Sequence, residues 1–190
     1  LLPIYPFLIM LVSGTIATGI HKFKRLDISA KAKHATMTVT YGTLSIIIAW
    51  FLIESAFIFP NYLAYFNQLA GGADNGYKYV VDSNLDWGQD YKRFADWVKE
   101  NDIQKIDVDY FGWTSPYSYL PTQHNWITAD TYSGLSDFKE RNQTGGLIAV
   151  SAQHLQTAGG GDPDKNNYNW LKQFEPVHKI GYSIFIYQID

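Results

Sequence analysis

A short polar run, DSNLDWGQD, holds the residue types with the greatest chemical potential in this sequence. Asp82, Asn84, Asp86 and Asp90 place side-chain oxygen atoms close together, with Trp87 among them. A calcium loop also spaces oxygen ligands in this way, but it needs glycine at its sixth position and glutamate at its twelfth. Here the glycine comes one place late and an arginine stands twelfth, so the match to a calcium loop fails twice.

Two other interpretations of this run are favoured over a metal site. It follows Lys78–Val81, a predicted strand, and α/β folds bind ligands at the carboxyl ends of strands. Trp87 could then stack on a sugar beside hydrogen-bonding carboxylates. Alternatively Asp86 or Asp90 caps a following helix and Trp87 packs in the turn, and capping chemistry alone explains the residue types. The candidate ligand-binding residues are Asp82, Asn84, Asp86, Trp87 and Asp90.

A second carboxylate pair, Asp107 and Asp109, has the Asp-x-Asp spacing of metal-using nucleotide-sugar transferases. On a strand both side chains point to one face. Since Lys105–Phe111 alternates apolar and acidic residues, we expect that face to meet solvent. The five histidines are scattered without metal-site spacing, and there is no cysteine. The sequence therefore predicts no metal site and no cofactor.

These residues belong to a region whose pattern predicts a layered α/β domain. A helix over 89–101 is indicated by apolar residues at spacings of three and four. Strands and helices alternate along the chain, and this alternation is typical of an α/β fold. We expect strands at 78–81, 105–111, 146–152 and 179–189, a short helix at 168–174, and irregular loops over 112–137 and 155–167.

The preceding sixty residues have a different composition. Leu1–Ile20 has no charged residue and Ala35–Phe59 has only Glu54, so both are long and apolar enough to span a bilayer. The loop between them carries five Lys or Arg and one Asp, and the positive-inside rule places it in the cytoplasm. Residues 61–190 are then extracytoplasmic. We predict two domains, 1–60 and 61–190, in a multi-pass protein of the cell inner membrane.

The charge distribution narrows the possible partners. The chain carries a net charge of −3, and residues 1–60 hold five basic and two acidic side chains, which leaves −6 for residues 61–190. Nucleic acid is disfavoured as a partner, because phosphate binding needs clustered Lys and Arg. Asn61 to Asn75 has apolar residues at helical spacing and predicts either an amphipathic helix on the membrane lipid or a segment packed against the domain.

The stretch Phe59 to Asp90, FPNYLAYFNQLAGGADNGYKYVVDSNLDWGQD, carries a specific resemblance. It is similar to the C-terminal region of GT-C membrane glycosyltransferases of the dolichyl-phosphate-mannose–protein mannosyltransferase-like superfamily. The initial LLPIYPFL, Tyr110-Phe111-Gly112 and Tyr182-Ser183-Ile184 also fit. The resemblance implies a polytopic enzyme that takes a sugar from a polyprenyl-phosphate donor on the outer side of the membrane.

The resemblance assigns catalysis to an acidic residue in an early extracytoplasmic loop that has no equivalent in this sequence. No catalytic residue is therefore transferred to this chain, which is expected to be inactive alone and to work with the rest of the polytopic protein. The alternative is a membrane-anchored, non-enzymatic module that binds a glycan or a protein through exposed Tyr and Trp. Many further spans upstream, with an acidic first exterior loop, would favour the enzyme.

Overall fold

The computed structural model describes residues 4–25, 27, 29–112, 119–120, 123–158 and 167–190. The chain divides into two compact units, Leu1–Phe57 and Ile58–Asp190. The first unit consists of two long helices, and the second is an α/β domain built on a mixed sheet. The predicted combination of an apolar helical part with an α/β domain is therefore present.

Two apolar helices form the first unit. α1 spans Tyr5–Lys24 and α2 spans Ala30–Ile58, and both are long and apolar enough to cross a membrane by length and composition. Their large apolar side chains are exposed rather than packed in a core. Each helix continues into the basic segment, so that Lys24 ends α1 and Lys31 lies in the first turn of α2. We treat both helices as candidate membrane spans.

The second unit begins with two 3₁₀ turns, Tyr62–Ala64 and Gln68–Ala70, and a further 3₁₀ turn covers Asp82–Asn84. A last 3₁₀ helix covers Asn169–Gln173. The regular elements, in chain order, are α3 (Ala73–Gly76), α4 (Gln89–Glu100), β1 (Lys105–Asp109), β2 (Gln123–Trp126), α5 (Leu135–Arg141), β3 (Gly146–Ser151), α6 (Ala152–Thr157), β4 (His178–Ile180) and β5 (Ile184–Ile189).

The five strands form one mixed sheet in the order β2-β1-β3-β5-β4. β1 is parallel to both β2 and β3, whereas β5 is antiparallel to β3 and to β4. The carboxyl ends of β1 and β3 therefore meet at one edge of the sheet. The turn from β4 to β5 lies at that edge too, because Ser151 at the end of β3 pairs with Ile184 at the start of β5.

Both faces of the sheet are covered. On one face α4 packs Tyr91, Phe94 and Val98 against apolar residues of β1, β3 and β5. On the other face Phe138 of α5 and Leu171 of the last 3₁₀ helix join a second apolar cluster. β1 is inner in the sheet, so four of its five residues are buried. The alternation seen in its sequence therefore does not mark a solvent-facing side.

One predicted element near the site is wrong, and one open alternative is decided. Residues 78–81 form a turn rather than a strand, because the N–H groups of Tyr79 and Val80 both bond to the carbonyl of Gly76. The apolar letters KYVV indicate burial, yet Tyr79 is 65% exposed. Over 61–75 the structure has two 3₁₀ turns and α3 instead of one amphipathic helix, and Ala64 packs into a core cluster, as the alternative of a segment packed against the domain expects.

Most other strand and helix predictions are correct in type but not in extent, whereas the two predicted loops contain regular elements. The α4 helix and strands β1 and β3 confirm the predictions over 89–101, 105–111 and 146–152 within two residues. The strand predicted over 179–189 is a hairpin, β4 and β5, bent at Gly181. The loop predicted over 112–137 contains β2 and the start of α5, while 113–118, 121–122 and 159–166 lie outside the described residues.

Candidate functional site

The candidate site lies at the carboxyl edge of β1 and β3. The segment 82–90 runs along this edge, where Asp82, Asp86, Ser151 and Ser183 line one small cavity with a volume of about 10 Å³. The predicted strand before this segment is absent, but strands β1 and β3 supply the carboxyl ends instead. The site therefore lies where α/β folds bind ligands, but at the carboxyl ends of β1 and β3 and not after a strand over 78–81.

Asp86 and Asp90 form the inner part of the site, and both are buried. The hydroxyl of Ser183 lies between them, with its Oγ 2.8 Å from Oδ2 of Asp86 and 2.7 Å from Oδ2 of Asp90. Asp86 also accepts hydrogen bonds from the Tyr110 hydroxyl at 3.0 Å and from the Gly88 N–H at 2.7 Å. Three chain segments thus meet at the two carboxyl groups: residues 86–90, Tyr110 after β1, and Ser183 at the hairpin turn.

This geometry places a single hydroxyl between two carboxyl groups, and below about pH 6 Asp90 holds a proton of its own. The Ser183 hydroxyl has a single proton to donate, so it can bond to only one ionised carboxylate at a time. Asp86 already accepts from two other donors, whereas burial raises the pKa of Asp90 to about 6, against the lowering effect of Ser183. A protonated Asp90 can donate to Ser183, which in turn donates to Asp86. The three groups then form one satisfied hydrogen-bonded chain.

The turn from β4 to β5 delivers Ser183 to the two carboxyl groups. Gly181 and Tyr182 have φ values of +56° and +69°, and the Ser183 N–H bonds to the Ile180 carbonyl, so the turn has the left-handed form favoured in tight hairpins. A Cβ atom at Gly181 would lie 2.1 Å from the carboxyl of Asp90. Glycine is therefore required here both by conformation and by the close approach of Asp90.

Arg93 connects the inner carboxyl pair to the beginning of the domain. Its guanidinium lies 3.0 Å from Oδ1 of Asp90, and the same NH1 atom donates to the side-chain oxygen of Asn61. Since the Arg93 side chain is 39% exposed, this ion pair is partly screened by solvent. The contact places residue 61, just beyond the end of α2, against the helix that carries Asp90.

The remaining predicted residues, Asp82, Asn84 and Trp87, form the outer part of the site. All three side chains are exposed, and Trp87 is 69% exposed. The Trp87 indole N–H donates to the Ser83 carbonyl, so the ring is held in place although it is not packed in a core. Asp82 has a φ of +62°, which is uncommon for a residue with a side chain. The structure therefore divides the five candidates into two buried and three exposed residues.

Helix capping does not explain the acidic residues, contrary to one of the two interpretations. The N-cap of α4 is Gly88, and no side chain caps the helix. Asp86 accepts from the Gly88 N–H instead, and Asp90 turns inward to Ser183. The packed tryptophan expected with this interpretation is also absent, because the Trp87 ring meets solvent.

The prediction that Asp107 and Asp109 face solvent is wrong. Both are buried on the α5 and α6 side of β1. Asp107 accepts from the Tyr132 hydroxyl at 2.5 Å and from the Asn125 side chain at 2.8 Å. Burial, and next the hydrogen bond to Asp107, raises the pKa of Tyr132. Asp107 therefore fastens the segment after β2 to the sheet.

Asp109 forms a dyad with His154 that the sequence analysis missed. Nδ1 of His154 lies 2.7 Å from Oδ1 of Asp109, and the Tyr168 hydroxyl donates to Oδ2 at 2.6 Å. The histidine follows β3 in α6 and remains partly exposed at the same edge as Ser151. No sequence spacing could have identified this dyad, because its members lie 45 residues apart and meet only through the parallel pairing of β1 and β3.

Within the described ranges, no group of three or more His, Asp or Glu side chains is arranged to hold a metal ion. Comparison with protein-family models, with curated proteins and with solved structures finds no match. The fold and site together define an α/β domain that follows two long apolar helices and carries a polar, partly aromatic edge.

Proposed function

We propose that this chain is the C-terminal part of a polytopic membrane glycosyltransferase that uses a polyprenyl-phosphate sugar donor. In this proposal α1 and α2 span the inner membrane, the basic segment between them is cytoplasmic, and residues 61–190 are extracytoplasmic. Catalysis belongs to a part of the protein outside this chain. The α/β domain contributes a saccharide-binding surface made by Trp87, Asp82 and Asn84.

The observation that carries this proposal is the fixed, exposed indole of Trp87 at the carboxyl edge of the sheet. A large aromatic ring in water offers a flat apolar surface, on which the C–H face of a sugar can stack. Its position is fixed by its bond to the Ser83 carbonyl, so little conformational freedom is lost on binding. A fixed ring beside exposed polar groups is what a saccharide surface needs.

The polar neighbours of Trp87 suit a hydroxyl-rich, uncharged ligand. The Asp82 carboxylate has no hydrogen-bond or ion-pair partner within the part of the chain described, and it can accept from sugar hydroxyls. Asn84 adds an exposed amide two positions further on. The net charge of −6 over residues 61–190 disfavours a phosphate at this surface. The sugar moiety is therefore the part of a donor or acceptor that fits.

The buried Asp86–Ser183–Asp90 chain supports this surface from below. It fixes both ends of the segment 86–90 against the hairpin turn, so the backbone that carries Trp87 cannot move without breaking buried hydrogen bonds. Binding groups held by a second layer of hydrogen bonds are better placed than groups on a free loop. We assign Asp86 and Asp90 a positioning role rather than ligand contact.

The test compares Trp87→Ala with Val177→Ala, a change at another exposed apolar residue of the domain. Transfer from a polyprenyl-phosphate hexose is measured with the complete gene product, and the melting temperature is measured on the same variants. We expect Trp87→Ala to lower transfer efficiency about tenfold, equivalent to about 1.4 kcal/mol, with an unchanged melting temperature. Equal transfer by Trp87→Ala and the native protein would refute the saccharide surface.

The same exposed ring also fits the alternative class, a membrane-anchored glycan-binding module without enzymatic activity. Saccharide binding and sugar transfer, both measured on the complete gene product, distinguish the two functions. A module would bind saccharide through Trp87 while the complete gene product transfers no sugar from any polyprenyl-phosphate donor.

A further inference from the structure

The first 22 residues after α2, Phe59–Val80, form a segment with an unusual surface, which we call the collar. Seven large apolar side chains of the collar are exposed, whereas only three more are exposed elsewhere in the described part of the domain. The seven are Phe59, Tyr62, Leu63, Tyr65, Leu69, Tyr79 and Val80. Leu69 is 99% exposed and Tyr79 is 65% exposed. Apolar exposure concentrated in one segment of the chain indicates a surface that another phase or molecule covers.

The collar cannot simply turn its apolar side chains inward, because other residues already hold it on the domain. Ala64 is buried in the core cluster beneath the sheet. The ring of Phe66 lies so close to Gly76 that a Cβ atom there would be 2.1 Å from Cδ2 of Phe66. Tyr77 packs on Phe185 of β5 with ring centroids 4.6 Å apart. The exposed residues therefore form the outer side of a segment whose inner side is already packed.

Chain continuity and residue type identify what covers the collar. Phe59 directly follows Ile58, the last residue of the apolar helix α2. Three of the exposed side chains are tyrosines, which combine an apolar ring with a polar hydroxyl and are enriched where a membrane meets water. Only Asp74 and Lys78 are charged within the collar, and Asp74 is paired with Lys179 at 3.1 Å. Little desolvation of charge thus opposes contact with lipid.

We propose that the collar is a lipid-binding surface that rests in the interfacial layer of the bilayer. Leu69 enters the acyl boundary, and the tyrosine hydroxyls stay at the level of the lipid headgroups. This inference rests on the membrane insertion of α1 and α2 in the proposed function. It goes further because it assigns a lipid contact to the α/β domain itself.

The collar would also set the height of the saccharide surface above the lipid. Asn61 of the collar accepts a hydrogen bond from Arg93, which is paired with Asp90, and Asp90 shares Ser183 with Asp86 next to Trp87. A continuous set of polar contacts thus links the collar to Asp86, the residue before the Trp87 that we propose binds sugar. A sugar carried on a membrane lipid is reached most easily by a site that is held at a fixed distance from the bilayer.

The absence of cysteine from the chain allows a direct test by single-cysteine spin labelling. Nitroxide labels are placed on Leu69→Cys, on Ile47→Cys within α2, and on Glu100→Cys at an exposed polar position of α4. The full chain is reconstituted in vesicles of phosphatidylcholine and phosphatidylglycerol. Label accessibility is then measured to oxygen, which concentrates in lipid, and to a water-soluble nickel chelate.

We expect the oxygen-to-nickel accessibility ratio to be several-fold higher at residues 47 and 69 than at residue 100. A ratio at residue 69 equal to that at residue 100, with residue 47 still in lipid, would overturn the collar inference and leave membrane insertion intact. Exclusion of both reagents at residue 69 would also overturn it, because protein rather than lipid would then cover the surface. A water-accessible residue 47 would refute the insertion on which the inference rests.

Discussion

Replacing Asp90 by asparagine should stabilise the α/β domain at neutral pH, which is an unusual outcome for a buried, hydrogen-bonded aspartate. Burial raises the pKa of Asp90 from its ordinary value of 3.8 to about 6. The native state therefore binds a proton more tightly than the unfolded state does, so stability falls as pH rises from about 4 to about 6. Above about pH 6 the Asp90 carboxylate is ionised and buried, and its effect on the free energy of unfolding no longer changes with pH.

The size of the effect follows from the pKa difference. A tenfold change in proton affinity corresponds to about 1.4 kcal/mol, so the change from 3.8 to about 6 gives a cost of about 3 kcal/mol at pH 7.5. Asparagine cannot ionise, yet its amide can donate to Ser183 and its carbonyl can accept from Arg93. We expect Asp90→Asn to gain most of this energy at pH 7.5 and almost none at pH 4.

The assay is thermal unfolding of the full chain in detergent micelles at several pH values between 4 and 8, followed by near-ultraviolet circular dichroism. A gain of about 2–3 kcal/mol corresponds to a rise of roughly 8–12 °C in melting temperature for a domain of this size. Asp96→Asn changes an exposed carboxylate on the same helix and is the matched control. If Asp90→Asn were less stable than the native chain at pH 7.5, the claim that the buried, ionised Asp90 destabilises the domain would be refuted.

Three further changes test separate parts of the structure. Gly181→Ala should destabilise the domain by about 1–3 kcal/mol through its positive φ and the clash with Asp90, and Gly134→Ala, in open space, should change the melting temperature little. Tyr168→Phe should lower the free energy of unfolding by about 1–2 kcal/mol, because Asp109 loses one of its buried hydrogen-bond donors. Tyr119→Phe, at an exposed position, is the control and should lower it less. In intact cells, cysteine at residue 24 should be shielded from an impermeant thiol reagent while cysteine at residue 142 reacts; the opposite pattern would reverse the orientation.

Periodicity predicted the longer elements of this domain that bury one face, but not the short helices α5 and α6. Tyr91, Phe94 and Val98 recur at helical spacing and lie in one apolar cluster, so α4 could be located to within a residue. The two long helices were equally evident from the absence of charge. In these segments the local pattern and the tertiary environment agree, so the sequence is sufficient to predict the secondary-structure element.

The errors occur where tertiary contacts outweigh the local pattern. Lys78–Val81 has the letters of a strand, but backbone bonds to Gly76 close it into a turn and leave Tyr79 exposed. Asp109 stands at a polar position of an alternating strand, yet both faces of β1 are covered, and the required partners come from residues 154 and 168. No local signal distinguishes such a buried aspartate from an exposed one.

For the candidate site, the residues could be identified from the local sequence, but their burial could not. All five candidate residues were chosen from one run of sequence, and four of the five lie at the edge as exposed or cavity-lining groups. Their separation into buried and exposed groups depends on Ser183, about a hundred residues away, and on the turn at Gly181 that places it. Glycine within an apolar run was the one available sign of this hairpin.

Sugar transfer by the complete gene product tests the central claim most directly. Membranes containing that protein are incubated with a labelled polyprenyl-phosphate hexose, in parallel with the purified 190-residue chain. We expect the complete protein to transfer the label and the isolated chain to transfer none. Absence of transfer by the complete protein, or transfer by this chain alone that Asp86→Ala or Asp109→Ala abolishes, would contradict the proposed function.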